Sequence, residues 1–344
     1  MIPKSGNRFS DKIMRKEKHA MTLTRRAALA GLAATALPSS ASAQDFPSRP
    51  VTIIVPYTPA GPVDTTARLV GQEMAADLGQ PVVIENRPGG SGIIGTNAVA
   101  RATPDGYTLV FGTNQTHVTN QSLVKNCPYD AVRDFAPVGN IIVTPHVLVV
   151  RKDLAVTGVA ELVALARSKP GGLTFGTIGP GSSSHLATEL FKINAGIDVV
   201  HVPFKGLAPL TTELLAGRID LSIAPLPGLM QKQIEDDKLR PLALASAKRT
   251  EFLPSLLTFA EAGVPGVEAD ALGALFAPAK TPRAVIDRLY RALVTAAGKD
   301  SVRTAMHRQG IPIVLIPPDE MSEILPREVA KWANVIKVAN IPME

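Results

Sequence analysis

The stretch Leu173–Val202, LTFGTIGPGSSSHLATELFKINAGIDVVHV, contains the pattern that decides the fold. Its first residues, Leu173–Thr177, are typical of a strand, and a turn rich in glycine and serine follows. Ser183–Asn194 then has the apolar spacing of a helix, and Val199–Val202 is a second short β-branched strand. A strand, a helix and a strand in this order predict an α/β arrangement with parallel strands.

The same alternation runs through most of the chain. Further strands are predicted at Val51–Val55, Val82–Ile84, Tyr107–Phe111, Val138–Val143, Val147–Val150, Ile219–Ala224 and Leu242–Ala245. Further helices are predicted at Asp64–Leu78, Ile93–Arg101, Val159–Ser168, Leu207–Ala216, Gly228–Glu235, Arg283–Ala297, Ser301–Gln309 and Pro318–Val338. This pattern predicts an α/β fold with parallel or mixed sheets and helices on both faces.

The length of 344 residues fits two such units. We expect lobe 1 to comprise residues 46–145 and 269–344, and lobe 2 to comprise residues 146–268. The tail after Asp270 reads as helical, with too few strands for its own sheet, so it is expected to pack back on lobe 1. The chain would then cross between the lobes twice, and two crossovers make a hinge.

The charge is concentrated at the N-terminus. Residues 1–43 carry eight Lys and Arg against two acidic residues, which accounts for the whole net charge of +6. The remainder is neutral and only 4% of the chain is aromatic, so a basic or aromatic nucleic-acid surface is excluded there. We therefore expect no nucleic-acid partner.

The N-terminal segment is predicted to be a targeting signal. Residues 1–20 read as an upstream extension before a start at Met21, and Ala27–Leu37 is an apolar run too short to span a bilayer. Ala41-Ser-Ala43 then matches a signal-peptidase site, which predicts export to the periplasm. Arg25-Arg26 leaves the twin-arginine and general secretory routes both open.

Two loops that follow predicted strands are candidate anion sites. After Val51–Val55, a proline-rich turn leads to Asp64, which is predicted to cap the next helix, with Tyr57 and Thr58 at the mouth. In Gly176–His185, three serine hydroxyls and the amides of the following helix are predicted to converge on one small anion. His185 either donates to the ligand or packs against the core.

Other motifs are assigned structural roles. Gly90-Ser-Gly-Ile-Ile-Gly95 imitates a dinucleotide fingerprint but lacks the acid after the next strand, so close backbone packing is expected. Cys127 is expected to be an idle thiol. No group of residues has zinc or calcium spacing, and no cofactor is expected. A serine hydrolase stays open as an alternative, although G-x-S-x-G is absent.

Several motifs, in order along the chain, resemble the extracytoplasmic solute-binding proteins of tripartite tricarboxylate transporters, the TctC-like Bug family of proteobacteria. They include PYTPAGPVD ending at Asp64, PDGYTLVFGT ending at Thr113, SSSHLA starting at Ser182, HVPFKG ending at Gly206 and EAGVPG starting at Glu261. The resemblance implies a two-lobed Venus flytrap of the periplasmic-binding-protein type II kind. It implies no catalysis, a monomer, and delivery of a small carboxylate to a membrane permease with a large and a small subunit.

The resemblance also implies the ligand-binding positions. These are Tyr57, Thr58, Ala60, Gly61, Asp64, Ser182, Ser183 and His185. To them we add Thr113 and Asn114, which follow the third strand, and Phe204, Lys205 and Gly206, which lie in the turn after Val199–Val202. The ligand itself stays open among dicarboxylates, tricarboxylates, amino acids and aromatic acids. A sensor that presents its ligand to a membrane signalling partner would have the same residues.

The chain departs from the family pattern near the expected cleft. Ala60 stands where the family usually has glycine, which requires a negative φ at that position. Residues 270–274 lack the aromatic that often precedes the last crossover, and Ala224–Pro227 replaces a Phe-Asp-Asn pattern. These departures leave the chemistry of the ligand's distal end undetermined, so a larger or less polar carboxylate stays among the alternatives.

Overall fold

The computed structural model describes residues 46–343, so the predicted targeting signal lies outside the described residues. Strands occur, in order, at β1 (Val51–Val55), β2 (Val82–Asn86), β3 (Thr108–Thr113), β4 (Phe135–Thr144), β5 (His146–Arg151), β6 (Thr174–Thr177), β7 (Val200–Pro203), β8 (Leu221–Pro225), β9 (Leu239–Leu244), β10 (Ala271–Pro278) and β11 (Ile313–Ile316). They form two separate sheets.

The helices alternate with these strands. They are α1 (Pro62–Leu78), α2 (Ile93–Ala100), α3 (Asn120–Leu123), α4 (Val159–Ser168), α5 (Ser183–Ala195), α6 (Leu207–Leu215), α7 (Leu229–Glu235), α8 (Arg283–Ala297), α9 (Asp300–Arg308) and α10 (Pro318–Val338). A single π-helical turn, Gln115–Thr119, directly precedes α3. In the described part of the chain, no helix combines the length and the apolar character needed to cross a membrane.

The first sheet has six strands in the order β11-β4-β10-β3-β1-β2. β1 is parallel to both β2 and β3, whereas β10 is antiparallel to β3 and β4. The tail therefore contributes two strands that the sequence did not predict, and one of them lies in the middle of the sheet. Ala271–Pro278 escaped detection because small residues and Gly273 replace the usual β-branched residues.

The second sheet has five strands in the order β7-β6-β8-β5-β9. β6 is parallel to β7 and β8, whereas β5 is antiparallel to β8 and β9. The chain passes from the first sheet to the second at Pro145, between β4 and β5, and returns before β10. Both sheets are mixed, and the chain crosses between them twice, as the sequence predicted.

Apolar side chains on α1 and α8 cover one face of the first sheet. Val70 and Met74 of α1 and Leu289 and Leu293 of α8 are buried with the strands of that sheet. The GxGxxG motif lies at the start of α2, where it allows a separate close approach: a Cβ on Gly95 would lie 2.8 Å from the Arg87 carbonyl oxygen. The expected structural role of this motif is therefore confirmed.

The turn between β1 and α1 differs from the expectation at Ala60. Its φ is +65°, in the left-handed region that alanine enters at a cost of about 1–2 kcal/mol. The requirement for a negative φ was therefore wrong. A hydrogen bond of 2.9 Å from the Ala60 N–H to Asp64 Oδ2 accompanies this conformation.

We expect Ala60→Gly to raise the free energy of unfolding by about 0.5–1 kcal/mol. Glycine removes the cost of the left-handed backbone, and part of that gain is offset by its greater freedom in the unfolded chain. Urea denaturation without ligand measures the change. Ala76→Gly, on the exposed side of the regular helix α1, is the control and should lower stability by a similar amount. Destabilisation by both variants would contradict the assignment of strain to Ala60.

Candidate functional site

A cavity of about 340 Å³ is lined by segments that follow strands of the first sheet and by segments that follow strands of the second sheet. Strands β1, β3 and β6 lead into it at their carboxyl ends, where open α/β sheets bind ligands. The lining residues are Tyr57, Val63, Thr113, Asn114, Gln115, Thr119, Ile178, Gly181, Ser182, Ser183, Leu186, Ala269, Ala271 and Trp332. Five of the predicted ligand-binding residues are among them: Tyr57, Thr113, Asn114, Ser182 and Ser183.

The serine turn before α5 is held by its own hydroxyl groups. Ser182 is the N-cap of α5, and its hydroxyl donates to the Gly179 carbonyl oxygen at 2.6 Å. The Ser184 hydroxyl accepts the Ile178 N–H at 2.9 Å and lies 3.1 Å from Ser182 Oγ. These hydroxyls do not converge on the cavity as the sequence suggested, because the tight turn satisfies them internally.

The Ser183 hydroxyl is engaged by a buried histidine. His146 Nε2 lies 2.9 Å from Ser183 Oγ, and His146 Nδ1 lies 3.3 Å from the Thr144 carbonyl oxygen. Burial lowers the pKa of His146 to about 4, so the ring is neutral at pH 7. A carbonyl only accepts, so Nδ1 carries the proton, Nε2 accepts, and Ser183 donates to it.

Main-chain N–H groups are therefore the donors that α5 offers to the cavity. Within residues 46–343, the N–H groups of Ser183 and Ser184 have no hydrogen-bond acceptor. They belong to the first turn of a helix of 13 residues, and that turn contains no acidic side chain. The positive end of the helix dipole and the free amides together form a site suited to a carboxylate.

Hydroxyl and amide groups form the opposite wall. The Tyr57 hydroxyl lies 2.7 Å from Thr113 Oγ1 and donates to Gln115 Oε1 at 3.3 Å. Burial raises the pKa of Tyr57 to about 12, which keeps its hydroxyl protonated. The Gln115 amide nitrogen has no acceptor among the described residues, and Gln115 also lines an adjoining cavity of about 240 Å³. Gln115 is thus a second source of free donors.

The first loop contributes less than the sequence predicted. Gly61, rather than Asp64, is the N-cap of α1, and Asp64 lies buried in the first helical turn. Hydrogen bonds from Arg68, Ala60 and Asn86 hold the pKa of Asp64 below its usual value despite burial, with Arg68 contributing most. Thr58, Ala60, Gly61 and Asp64 do not line the cavity, and Asp64 instead fixes the turn that carries Tyr57.

His185 belongs to the core. Its Nδ1 accepts the Gly181 N–H at 3.0 Å, and its ring stacks on His201 with the ring centroids 4.0 Å apart. Burial is the main reason that the pKa of His185 is lowered to about 4. Of the two roles considered from the sequence, the structure shows the packing role.

The turn after β7 does not reach the cavity. Phe204 packs on the apolar cluster between the second sheet and α6, Lys205 is exposed, and Gly206 precedes α6 with a φ of +112°. Gly206 therefore provides the positive φ that the turn before α6 requires, and Phe204 and Lys205 do not line the cavity. Sequence alone placed these residues near the ligand because their turn follows a strand.

Asn114 connects the cavity to the second crossover. Its side-chain oxygen accepts the Leu272 N–H at 2.6 Å, and its amide nitrogen lies 3.3 Å from the Asp270 carbonyl oxygen. A cavity residue thereby ties the end of β3 to the segment that returns from the second sheet. This contact places the second crossover directly beside the candidate site.

Sequence reasoning missed the residues that come from the π-helical turn and the tail. Gln115 and Thr119 lie on the π-helical turn, and Trp332 lies on α10 more than 200 positions away from them in the chain. A polar Gly-Thr-Asn-Gln sequence after a strand was the available signal for Gln115. No local sequence pattern identifies Trp332 as a cavity residue, since any amphipathic helix can bury one tryptophan. Across residues 46–343, no group of side chains has the arrangement of a metal site.

Asp270 is a half-buried carboxyl group beside the cavity, between Ala269 and Ala271. It bonds to the Ser246 hydroxyl and faces Glu268, Glu328 and Lys331. Burial is the main reason that its pKa is raised to about 6, from 3.8. Because the folded state binds this proton more tightly than the unfolded state, stability falls as the pH rises from about 4 to about 6.

We expect Asp270→Asn to raise the free energy of unfolding at pH 7.5 by about 2–3 kcal/mol, because asparagine keeps the polar shape without the buried charge. The gain should shrink to less than about 1 kcal/mol at pH 4, where the native carboxyl is already protonated. Urea denaturation of variant and parent protein at both pH values measures the difference. A gain that is equal at the two pH values would show that ionisation of Asp270 is not its cause.

Comparison with known proteins agrees with this architecture. A profile described as "Tripartite tricarboxylate transporter family receptor" matches residues 66–341. The chain is 33% identical over 320 residues to Protein BugT of Bordetella pertussis, covering 92% of this chain and 98% of BugT. The structure of R. palustris Rpa4515 with adipate is 39% identical, with a TM-score of 0.70, and the match covers 87% of this chain and 100% of that chain.

A third comparison indicates the compartment of the family. The periplasmic binding protein BugD is 30% identical, with a TM-score of 0.67 and coverage of 87% of this chain and 100% of that chain. The two-domain α/β fold predicted from the sequence is therefore that of periplasmic binding proteins. On the profile match and these similarities, this chain belongs to the tripartite tricarboxylate transporter receptor family of periplasmic solute-binding proteins.

Proposed function

We propose that this protein captures a small carboxylate between lobe 1 (residues 46–145 and 269–344) and lobe 2 (residues 146–268) and delivers it to a tripartite permease. The observation that carries the proposal is the start of α5, where unbonded N–H groups adjoin an interlobe cavity of about 340 Å³. The presence of adipate in Rpa4515 supports a carboxylate as the ligand class. Export through the N-terminal segment to the periplasm is part of the same proposal.

Closure of the lobes provides the mechanism. The carboxylate accepts hydrogen bonds from α5 on one side and from Gln115 or Thr113 on the other. These groups belong to different lobes, so both sets of bonds form together only in the closed state. A ligand shifts the open–closed equilibrium by its difference in affinity for the two states, and about 1.4 kcal/mol gives a tenfold shift. A few charge-assisted hydrogen bonds supply that difference.

The permease recognises the closed form in this proposal. The two crossovers meet beside the cavity, where Asn114 binds the Asp270–Leu272 segment. Ligand capture and lobe orientation are therefore linked at one place. The large and small membrane subunits would dock on a surface that exists only when the lobes are closed. In a sensor, the membrane signalling partner would recognise the same closed surface.

One observation favours a second function, a serine hydrolase. Ser183 Oγ and His146 Nε2 lie 2.9 Å apart at the cavity, as a nucleophile and its base would. Two features weaken this alternative: burial lowers the pKa of His146 to about 4, and a main-chain carbonyl occupies the place of a triad carboxylate. Covalent labelling of Ser183 by a fluorophosphonate probe would favour the hydrolase over the receptor.

A thermal-shift screen against a library of small carboxylates tests the proposed function. A ligand that binds only the native protein must raise its Tm, and a concentration of 100 times Kd adds about 2.7 kcal/mol of stability. We expect at least one carboxylate to raise the Tm, and the matching amide to have no effect. Failure of every carboxylate in a broad library would contradict the proposal.

We expect Ser183→Pro to weaken carboxylate binding at least tenfold, because it deletes the Ser183 N–H. Proline is favoured at the first helical position, and Ser182 has φ −68° and ψ 165°, which a following proline tolerates. Calorimetric titration with the ligand from the screen measures the loss, and thermal unfolding without ligand verifies the fold.

Ser183→Ala is the matched variant, because it removes the hydroxyl that donates to His146 and keeps the N–H. We expect its affinity to fall by no more than about threefold. Equal losses in the two variants would show that the hydroxyl, rather than the main chain, binds the ligand.

A further inference from the structure

We propose that the preferred ligand is a monocarboxylic acid with an apolar body, and that the cavity discriminates against a second carboxylate. This inference rests on the proposed function and specifies its substrate class. It follows from the chemistry of the cavity wall beyond the start of α5.

The cavity has no side chain that could neutralise a second negative charge. None of the residues that line it, within the part of the chain that the structure describes, is a lysine, an arginine or a histidine. The adjoining cavity has none in its lining either. The free N–H groups at α5 suit one carboxylate, and α1, whose start also reaches the cavity at Val63, already carries Asp64 in its first turn.

Part of the cavity wall is apolar. It consists of Leu186, one turn along α5 from Ser182, together with Ala269, Ala271 and Trp332. Trp332 is only 3% exposed, and its indole N–H donates to Glu328 Oε2 at 3.0 Å. The indole therefore offers its ring, and not its donor, to a ligand.

Acidic groups stand behind this apolar wall. The Asp270 carboxyl lies between two lining residues in the chain, and Glu268 and Glu328 are its charged neighbours. Lys331 is the nearby cation, but its ammonium bonds Glu328 Oε1 at 2.7 Å and the Glu268 carbonyl oxygen at 3.2 Å. Three carboxyl groups against one committed ammonium repel a second carboxylate. They would attract an ammonium terminus, but that terminus would lose its hydration against the apolar wall.

A hydrocarbon end avoids both penalties. A carboxylate that is buried without a partner loses its hydration, whereas apolar surface gains free energy on leaving water. The same wall would therefore favour a methyl or ring terminus over a charged one. The adipate in Rpa4515 makes adipate the natural comparator for this chain.

Calorimetric titration at pH 7.5 with hexanoate, adipate and 6-aminohexanoate tests the inference. The three compounds share one carboxylate and one chain length, and they differ only in a methyl, carboxylate or ammonium terminus. Benzoate and terephthalate repeat the comparison on a rigid ring. We expect at least one monocarboxylate to bind tenfold or more tightly than its dicarboxylate, and 6-aminohexanoate to bind more weakly than hexanoate.

Two results would overturn the inference: neither monocarboxylate exceeding its dicarboxylate tenfold, or 6-aminohexanoate binding more tightly than hexanoate. In either case the protein still binds a carboxylate, so the proposed function survives. Failure of all carboxylates, both here and in the library screen, would instead remove the proposed function together with this inference.

A pair of variants at Ala271 tests whether the lack of positive charge at this wall causes the preference for a monocarboxylate. Ala271→Lys places an ammonium group in the apolar wall, and Ala271→Met adds similar bulk without charge. We expect the adipate-to-hexanoate affinity ratio to be at least tenfold higher in Ala271→Lys than in Ala271→Met. Equal ratios in two folded variants would show that charge at this wall does not set the preference. If Ala271→Lys fails to fold, the comparison of ligands on the parent protein still decides the inference.

Discussion

The main-chain N–H groups at the start of α5 are the feature on which the rest of the site depends. They are free because the serine and histidine side chains around them satisfy one another: Ser182 and Ser184 close the turn, and Ser183 donates to His146. A rigid turn keeps these amides oriented without a bound ligand. A preorganised dipole of this kind binds an anion without the cost of burying a lysine or arginine.

The first sheet and the second crossover provide the polar groups on the opposite wall of the cavity. The first sheet places Tyr57 and Thr113 at the carboxyl ends of neighbouring strands, and the π-helical turn adds Gln115. Asn114 links the same strand end to the returning crossover. In the proposed function, anion binding and closure of the lobes therefore depend on adjacent residues, which is the arrangement that a receptor needs if its partner is to distinguish the bound form.

The cavity lining combines two chemistries. Free hydrogen-bond donors come from the start of α5 and from Gln115, whereas Leu186, Ala269, Ala271 and Trp332 form an apolar surface next to the acidic surroundings of Asp270.

The sequence by itself determined the α/β class, the two units and many helix bounds, including Val159–Ser168 and Arg283–Ala297, because apolar periodicity and turn residues act locally. It also located the serine turn, since strand, turn and helix signals are consecutive there. Only the tertiary structure decided that β10 enters the middle of the first sheet, that the serine hydroxyls turn inward, and that Trp332 reaches the cavity. These outcomes depend on contacts between residues far apart in the chain, and no local pattern encodes such contacts.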